Sequence, residues 1–152
     1  AGSTVGSADG VGTAALFNGP AGITRDSVGN FYVTDYDNQR IRKIDTALNV
    51  TTLAGSSSGF SDGVGTAARF NKPFGITIDS AGNLYVADSG NNRIRKIDTA
   101  LNVTTLAGST VGSADGVGTA ALFNNPYGIT RDSVGNLYVT DFGNHRIRKL
   151  TP

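Results

Sequence analysis

Short runs of alternating apolar and polar residues recur along this chain, each closed by a cluster of Asp, Asn, Ser and Gly. "NFYVTD" at 30–35, with its counterpart "NLYVAD" at 83–88, is aromatic and β-branched, as a half-buried strand requires. Before it, 22–26 alternates in the same way and ends in Asp-Ser-x-Gly-Asn, a tight turn in which Gly supplies a positive φ and Asp or Asn bonds local backbone. After it, "RIRKI" at 40–44 and "NVTTLAG" at 49–55 complete a set of four predicted strands. No stretch carries apolar residues at the 3.6-residue period of a helix.

The whole set then repeats. Gly22-Ile23-Thr24 returns at Gly75 and Gly128, a constant step of 53 residues, and Phe17, Phe70 and Phe123 keep the same step. Residues 1–18 return unchanged as 107–124, and "IDTALNVTTLAGS" stands at both 44–56 and 97–109. Identity this complete, extending over plain surface positions, reads as recent duplication or deliberate construction. The units are 1–53, 54–106 and 107–152, with the fourth strand of the last one missing. An opening on Ala1 without Met fits a processed or excised chain. Four-stranded antiparallel units in tandem predict an all-β fold, a β-propeller with three blades per chain.

Composition agrees with strands and turns: 21 of 152 residues are Gly, and Met, Cys and Trp are absent. Without cysteine there is no disulfide framework, thiolate zinc site or thiol nucleophile. A net charge of +1 gives no global pull toward nucleic acid or an anionic membrane, and no apolar run approaches the roughly 20 residues of a membrane helix.

The pattern NxPxGITxDSxGNxYVxDxxNxRIRK, present three times, resembles the NHL repeat in its bacterial form with a long inter-blade loop. That resemblance implies a propeller, usually of six blades, that mediates protein or ligand recognition on one face. Three blades in an arc leave two apolar faces open. A head-to-tail homodimer would supply six, so the expected partner is a second copy of the chain. Strand 146–150 is then an open edge, softened by Arg146, Arg148, Lys149 and Pro152.

Candidate chemistry is sparse. "DGVGTAA" at 9–15, 62–68 and 115–121 matches the spacing of a dinucleotide loop. It lacks the long following helix, however, because Pro20 lies five residues after Ala15. It reads instead as the joint between blades, anchored by Phe17, Phe70 and Phe123, and in the first copy its neighbour is expected to come from another chain. Asp35, Asp88 and Asp141, each three residues before an Asn, suit turn capping better than a calcium site, which needs six to eight converging oxygens. Asp26, Asp79 and Asp132 recur once per unit, whereas a catalytic carboxylate pair is singular. His145 is the only histidine and cannot build a multi-histidine zinc site. No catalytic, cofactor or metal residues are assigned, and the reading is a non-enzymatic, self-assembling scaffold. RNA binding through the basic RIRK strands is the alternative, disfavoured by neighbouring Asp45 and Asp98 and the lack of stacking aromatics. Positions that differ between units are few: Ala21/Phe74/Tyr127, Tyr36/Ser89/Phe142, Arg25/Ile78/Arg131 and Gln39/Asn92/His145. Any recognition surface is expected among Phe74, Tyr127, Tyr36, Phe142, Arg25, Arg131 and His145.

Overall fold

The computed structural model describes residues 1–151. The first unit holds β1 (Gly10–Val11), β2 (Pro20–Arg25), β3 (Phe31–Asp35), β4 (Arg40–Ile44) and β5 (Asn49–Ala54). The second holds β6 (Gly63–Val64), β7 (Pro73–Ile78), β8 (Leu84–Asp88), β9 (Arg93–Ile97) and β10 (Asn102–Ala107), and the third β11 (Pro126–Arg131), β12 (Leu137–Asp141) and β13 (Arg146–Leu150). All pair antiparallel, in the orders β1-β5-β4-β3-β2, β6-β10-β9-β8-β7 and β11-β12-β13. Among the described residues, no helix is long and apolar enough to cross a membrane.

One expectation needs correction. The first two sheets have five strands, because the Gly-Val of each joint adds to the outer strand: Gly10 lies opposite Val50, and Gly63 opposite Val103. Each joint thus touches two blades: the second pairs with β10 of its own unit and also packs Ala68 and Phe70 against Ile41 and Ala54 of the preceding blade. After the Gly-Val the chain makes a single turn of 3-10 helix, as over Gly12–Ala14. The turn between the second and third long strands places Gln39, Asn92 and His145 in the left-handed region, at φ 60, 54 and 56°. Polar residues that tolerate that conformation suit the position, which explains its variation among Gln, Asn and His.

The core lies between sheets. Ile41 and Ala54 of the first unit pack with Ala68, Phe70, Ile76, Leu84, Val86 and Val103 of the second. Ala87, Ile94 and Ala107 of the second pack with Ala121, Phe123 and Val139 of the third. Phe70 and Phe123 are fully buried plugs supplied by the joints. The strands β2, β7 and β11 lie side by side at the inner edge, closely enough that a Cβ on Gly22 would stand 2.4 Å from the Phe74 carbonyl oxygen, and one on Gly75 2.3 Å from that of Tyr127. Only glycine permits that approach.

The two end faces lack a neighbouring sheet. Ile41 and Ile94 are 0% exposed, whereas Ile147, at the same position of the third unit, is 70% exposed. On the opposite face, Ile76 is 6% exposed and its counterpart Ile23 62%. Each exposed isoleucine leaves roughly 1.5–3 kcal/mol of burial unrealised.

Candidate interaction surfaces

Each unit is tied to its joint by a buried arginine. The Arg42 guanidinium donates through Nη1 to Asp35 at 2.7 Å and to the Leu16 carbonyl at 2.9 Å. Through Nη2 it donates to Asp9 at 2.8 Å and to the Ala8 carbonyl at 2.9 Å. Arg95 repeats this with Asp88 and Asp62, and Arg148 with Asp141 and Asp115. The rings of Phe17, Phe70 and Phe123 lie beneath these guanidinium groups, 4.9–5.2 Å away. Asp35 also accepts the Asn18 backbone N–H and the Asn38 side-chain amide, so it spans joint, turn and arginine rather than only capping a turn. Burial pushes the Asp88 carboxyl above the usual range, against the pull of Asn91, the Asn71 N–H and Arg95.

Two features of the RIRK strands change as a result. Their middle arginine is structural, so they are not a free basic face. Arg148 is likewise committed to its clasp and does not guard the edge of β13, and Pro152 lies outside the described residues. The signal was present in the sequence, since Asp9 and Arg42, Asp62 and Arg95, and Asp115 and Arg148 are each 33 residues apart.

A second carboxylate in each unit closes the turn after the inner strand. Asp26 accepts backbone N–H groups of Val28, Gly29 and Asn30, the Asn30 amide and the Tyr32 hydroxyl. Partial burial raises its carboxyl, but the bonds from Asn30, Gly29 and Tyr32 outweigh that and lower it to about 2. Asp79 is lowered by Asn83, Tyr85 and the Ala81 N–H, and Asp132 by Asn136, Tyr138 and the Val134 N–H. A folded-state value below the unfolded one, roughly 3.9, stabilises the fold above that pH and is lost as pH falls through it. The urea midpoint should therefore drop steadily from about pH 4 to pH 2, and less so in Asp26→Asn; a midpoint flat to pH 2 would contradict this. Raised Asp88 acts in the opposite sense, but it is one group against six, since Asp9, Asp45 and Asp98 are lowered as well.

The seven candidate recognition residues separate into three places. Phe74 and Tyr127 stack at 4.6 Å and 8°, Tyr127 and Phe142 do the same, and Tyr36 meets Phe74 edge-on at 5.9 Å. These four form one aromatic row where the inner strands begin, with Phe142 58% exposed at its end. Arg25 and Arg131 lie at the opposite ends of their strands, flanking a cleft with Ile78, Asp26 and Asp79. His145 belongs to neither. Its counterparts are latches between blades: Gln39 accepts the Lys72 backbone N–H at 2.6 Å, and Asn92 that of Asn125 at 2.9 Å. Among the described residues, no three His, Cys, Asp or Glu side chains converge as a metal would require.

Antiparallel sheets stacked face to face, with their inner strands side by side, are the blades of a β-propeller. The NHL-repeat model matches residues 17–44, 70–97 and 123–150, and the chain belongs to the NHL-repeat family. It is 36% identical over 154 residues to NHL repeat-containing protein 2 of Bos taurus, covering 90% of this chain and 21% of that protein. Among solved structures, a Bacteroides thetaiotaomicron protein matches with 31% identity and a TM-score of 0.79, over 86% of this chain and 34% of that one. An auxiliary nutrient binding protein from Bacteroides ovatus matches with 26% identity and a TM-score of 0.80, over 93% and 39%. The chain thus spans between a fifth and two-fifths of these relatives. More distant matches include lyases.

Proposed function

We propose that the chain is a non-enzymatic propeller scaffold whose main activity is head-to-tail self-assembly, two copies closing a six-bladed ring. The supporting observation is the contrast at one repeated position: Ile41 and Ile94 are buried by the next blade, and Ile147 is open. The two end faces are complementary, because each carries the residues that mate inside the chain. Thr34 accepts the Gly22 N–H and donates to the Phe74 carbonyl of the next blade at 2.6 Å. Thr140 accepts the Gly128 N–H in the same way, and a second copy would supply the carbonyl that takes its hydroxyl proton. The opposing face offers Phe17, Ile23, Val33 and Ile44 around a cleft of about 260 Å³. An interface of this heterologous kind closes into a ring when the rotation per blade fits, and six is the number the family resemblance implies. Light scattering should give twice the 15.6 kDa chain mass. A cooperatively melting species of one chain mass would overturn the reading.

Recognition is assigned to the aromatic row. Its π-faces offer flat apolar area at one end of the blades, and a nutrient-binding neighbour of the same fold supports small-ligand capture. Ligand-detected NMR over a panel of sugars and aromatic small molecules tests this. Binders should lose affinity when Phe74 and Tyr127 are both replaced by Ala, with assembly mass unchanged; unaltered binding would remove the row from the mechanism. The burial of Arg42, Arg95 and Arg148 gives RNA binding no added support.

A further inference from the structure

Opposite the aromatic row, where the inner strands end, the three blades meet around a cleft of about 460 Å³. The repeated position that lines it reads Arg25, Ile78 and Arg131 in successive blades. Ile78 packs onto the core and forms an apolar floor, with an arginine from the neighbouring blade on either side. Arg25 folds over its own turn, its Nη2 3.5 Å from where a Cβ on Gly29 would lie. Burial and the Asp79 bond raise the Tyr85 hydroxyl and the Arg131 charge pulls it back, so Arg131 reaches over the seam toward the second blade. Every ion pair among the described residues involves Arg42, Arg95 or Arg148, which leaves Arg25 and Arg131 with no carboxylate partner.

Two carboxylates also line the cleft, but both are saturated. Asp26 accepts the N–H groups of Val28, Gly29 and Asn30, the Asn30 amide and the Tyr32 hydroxyl. Asp79 accepts the N–H groups of Ala81 and Asn83, the Asn83 amide and the Tyr85 hydroxyl. An ionised carboxylate offers about four lone-pair sites, so neither has one to spare for a ligand. These bonds, with the one from the Gly82 N–H to the Asp79 carbonyl, consume the N–H groups of both turns except those of Ser27 and Ser80. Both serines are exposed and line the cleft. Free hydrogen-bonding capacity there is dominated by donors: two guanidinium forks and the N–H and hydroxyl groups of Ser27 and Ser80. Because the carboxylates balance the guanidinium charge, the cleft has no basic field, and selection is by short-range geometry.

We propose that this cleft binds a small dianion, a phosphate monoester or a dicarboxylate, held by Arg25 and Arg131 with its apolar part on Ile78. Two planar forks on either side of an apolar floor match two carboxylate ends, or one phosphoryl group whose oxygens face both sides. The site draws on three neighbouring blades and depends neither on ring closure nor on the aromatic row at the other end.

The test is isothermal titration calorimetry of the chain with succinate and with propyl phosphate, acetate serving as the monoanion. Saturable binding of a dianion is expected. Succinate alone identifies a dicarboxylate site, propyl phosphate alone a phosphate monoester site, and both together the shared chemistry. Arg25→Gln and Arg131→Gln should each weaken binding about tenfold or more, the loss of a charge-assisted hydrogen bond. Arg131→Lys should weaken it nearly as much, because it keeps the charge and loses the fork. Both side chains are unpaired and outside the core, so the three variants should melt with the parent. The Ser27 and Ser80 amide resonances should shift on titration, while those of the aromatic row stay in place. No saturable binding of either dianion up to millimolar concentration, equal binding by the Gln variants, or acetate bound as tightly as the dianions would overturn the proposal. Undiminished binding by Arg131→Lys would overturn it as well, since charge alone would then suffice.

Discussion

Arg95→Met should cost the chain about 3–5 kcal/mol, the range for removing one partner of a buried ion pair. Asp88 is then left fully buried without its guanidinium, and the Ser61 and Arg69 carbonyls lose the donors that hold the joint. A small domain is stable by only about 5–15 kcal/mol, so the urea midpoint should fall by about a fifth or more. The loss should be larger at pH 8 than at pH 5. Burial already raises the Asp88 carboxyl, and without Arg95 it rises further, so protonation at the lower pH relieves part of the cost. Arg148→Met leaves Asp141 just as buried, but it should cost less because this clasp already opens to water, with Arg148 9% and Asp115 91% exposed where Arg95 is 0% and Asp62 46%. A loss under about 1 kcal/mol in Arg95→Met would mean that the clasp is dispensable.

The second large effect separates two glycines at one repeated position. Gly75→Ala sets a methyl 2.3 Å from the Tyr127 carbonyl oxygen and 2.9 Å from the Ile129 nitrogen, so the inner strands must part. Overpacking of this kind typically costs about 1–3 kcal/mol. At Gly128 the nearest atoms are those of the Thr140 side chain, at 3.1 and 3.5 Å, and no neighbouring backbone stands in the way. Gly128→Ala should therefore add little strain within a single chain. Under the ring-closing proposal its methyl occupies the place of the second copy's Ala21 carbonyl, and light scattering should report a single-chain mass. A Gly128→Ala protein that melts normally and still runs at twice the chain mass would rule out closure at this spacing.

Much of this architecture is legible in the residues alone. Alternation and turn residues locate the strands to within about two residues, because a half-buried strand must alternate and a tight turn needs Gly, Asn or Asp. The tertiary links are less legible. Arg42 and Asp9 lie 33 residues apart, and neither residue type announces burial; in the sequence the nearby carboxylates of RIRK are Asp45 and Asp98 instead. Gln39 and Asn92 look like variable surface, yet each accepts a backbone N–H from the next blade. The aromatic row is only a set of unrepeated positions until the register of β7, β11 and β12 stacks three rings at 4.6 Å.

By itself the sequence determined the repeat, the strands and the all-β class, since these follow from local conformation and periodicity. Tertiary structure decided which faces are covered and which are open. Burial depends on the neighbouring blade, which is why one isoleucine position reads 0% at Ile41 and Ile94 and 70% at Ile147. It also decided what "DGVGTAA" meets: only the pairing of Gly10 with Val50 reveals that the joint adds to the outer strand of its own blade.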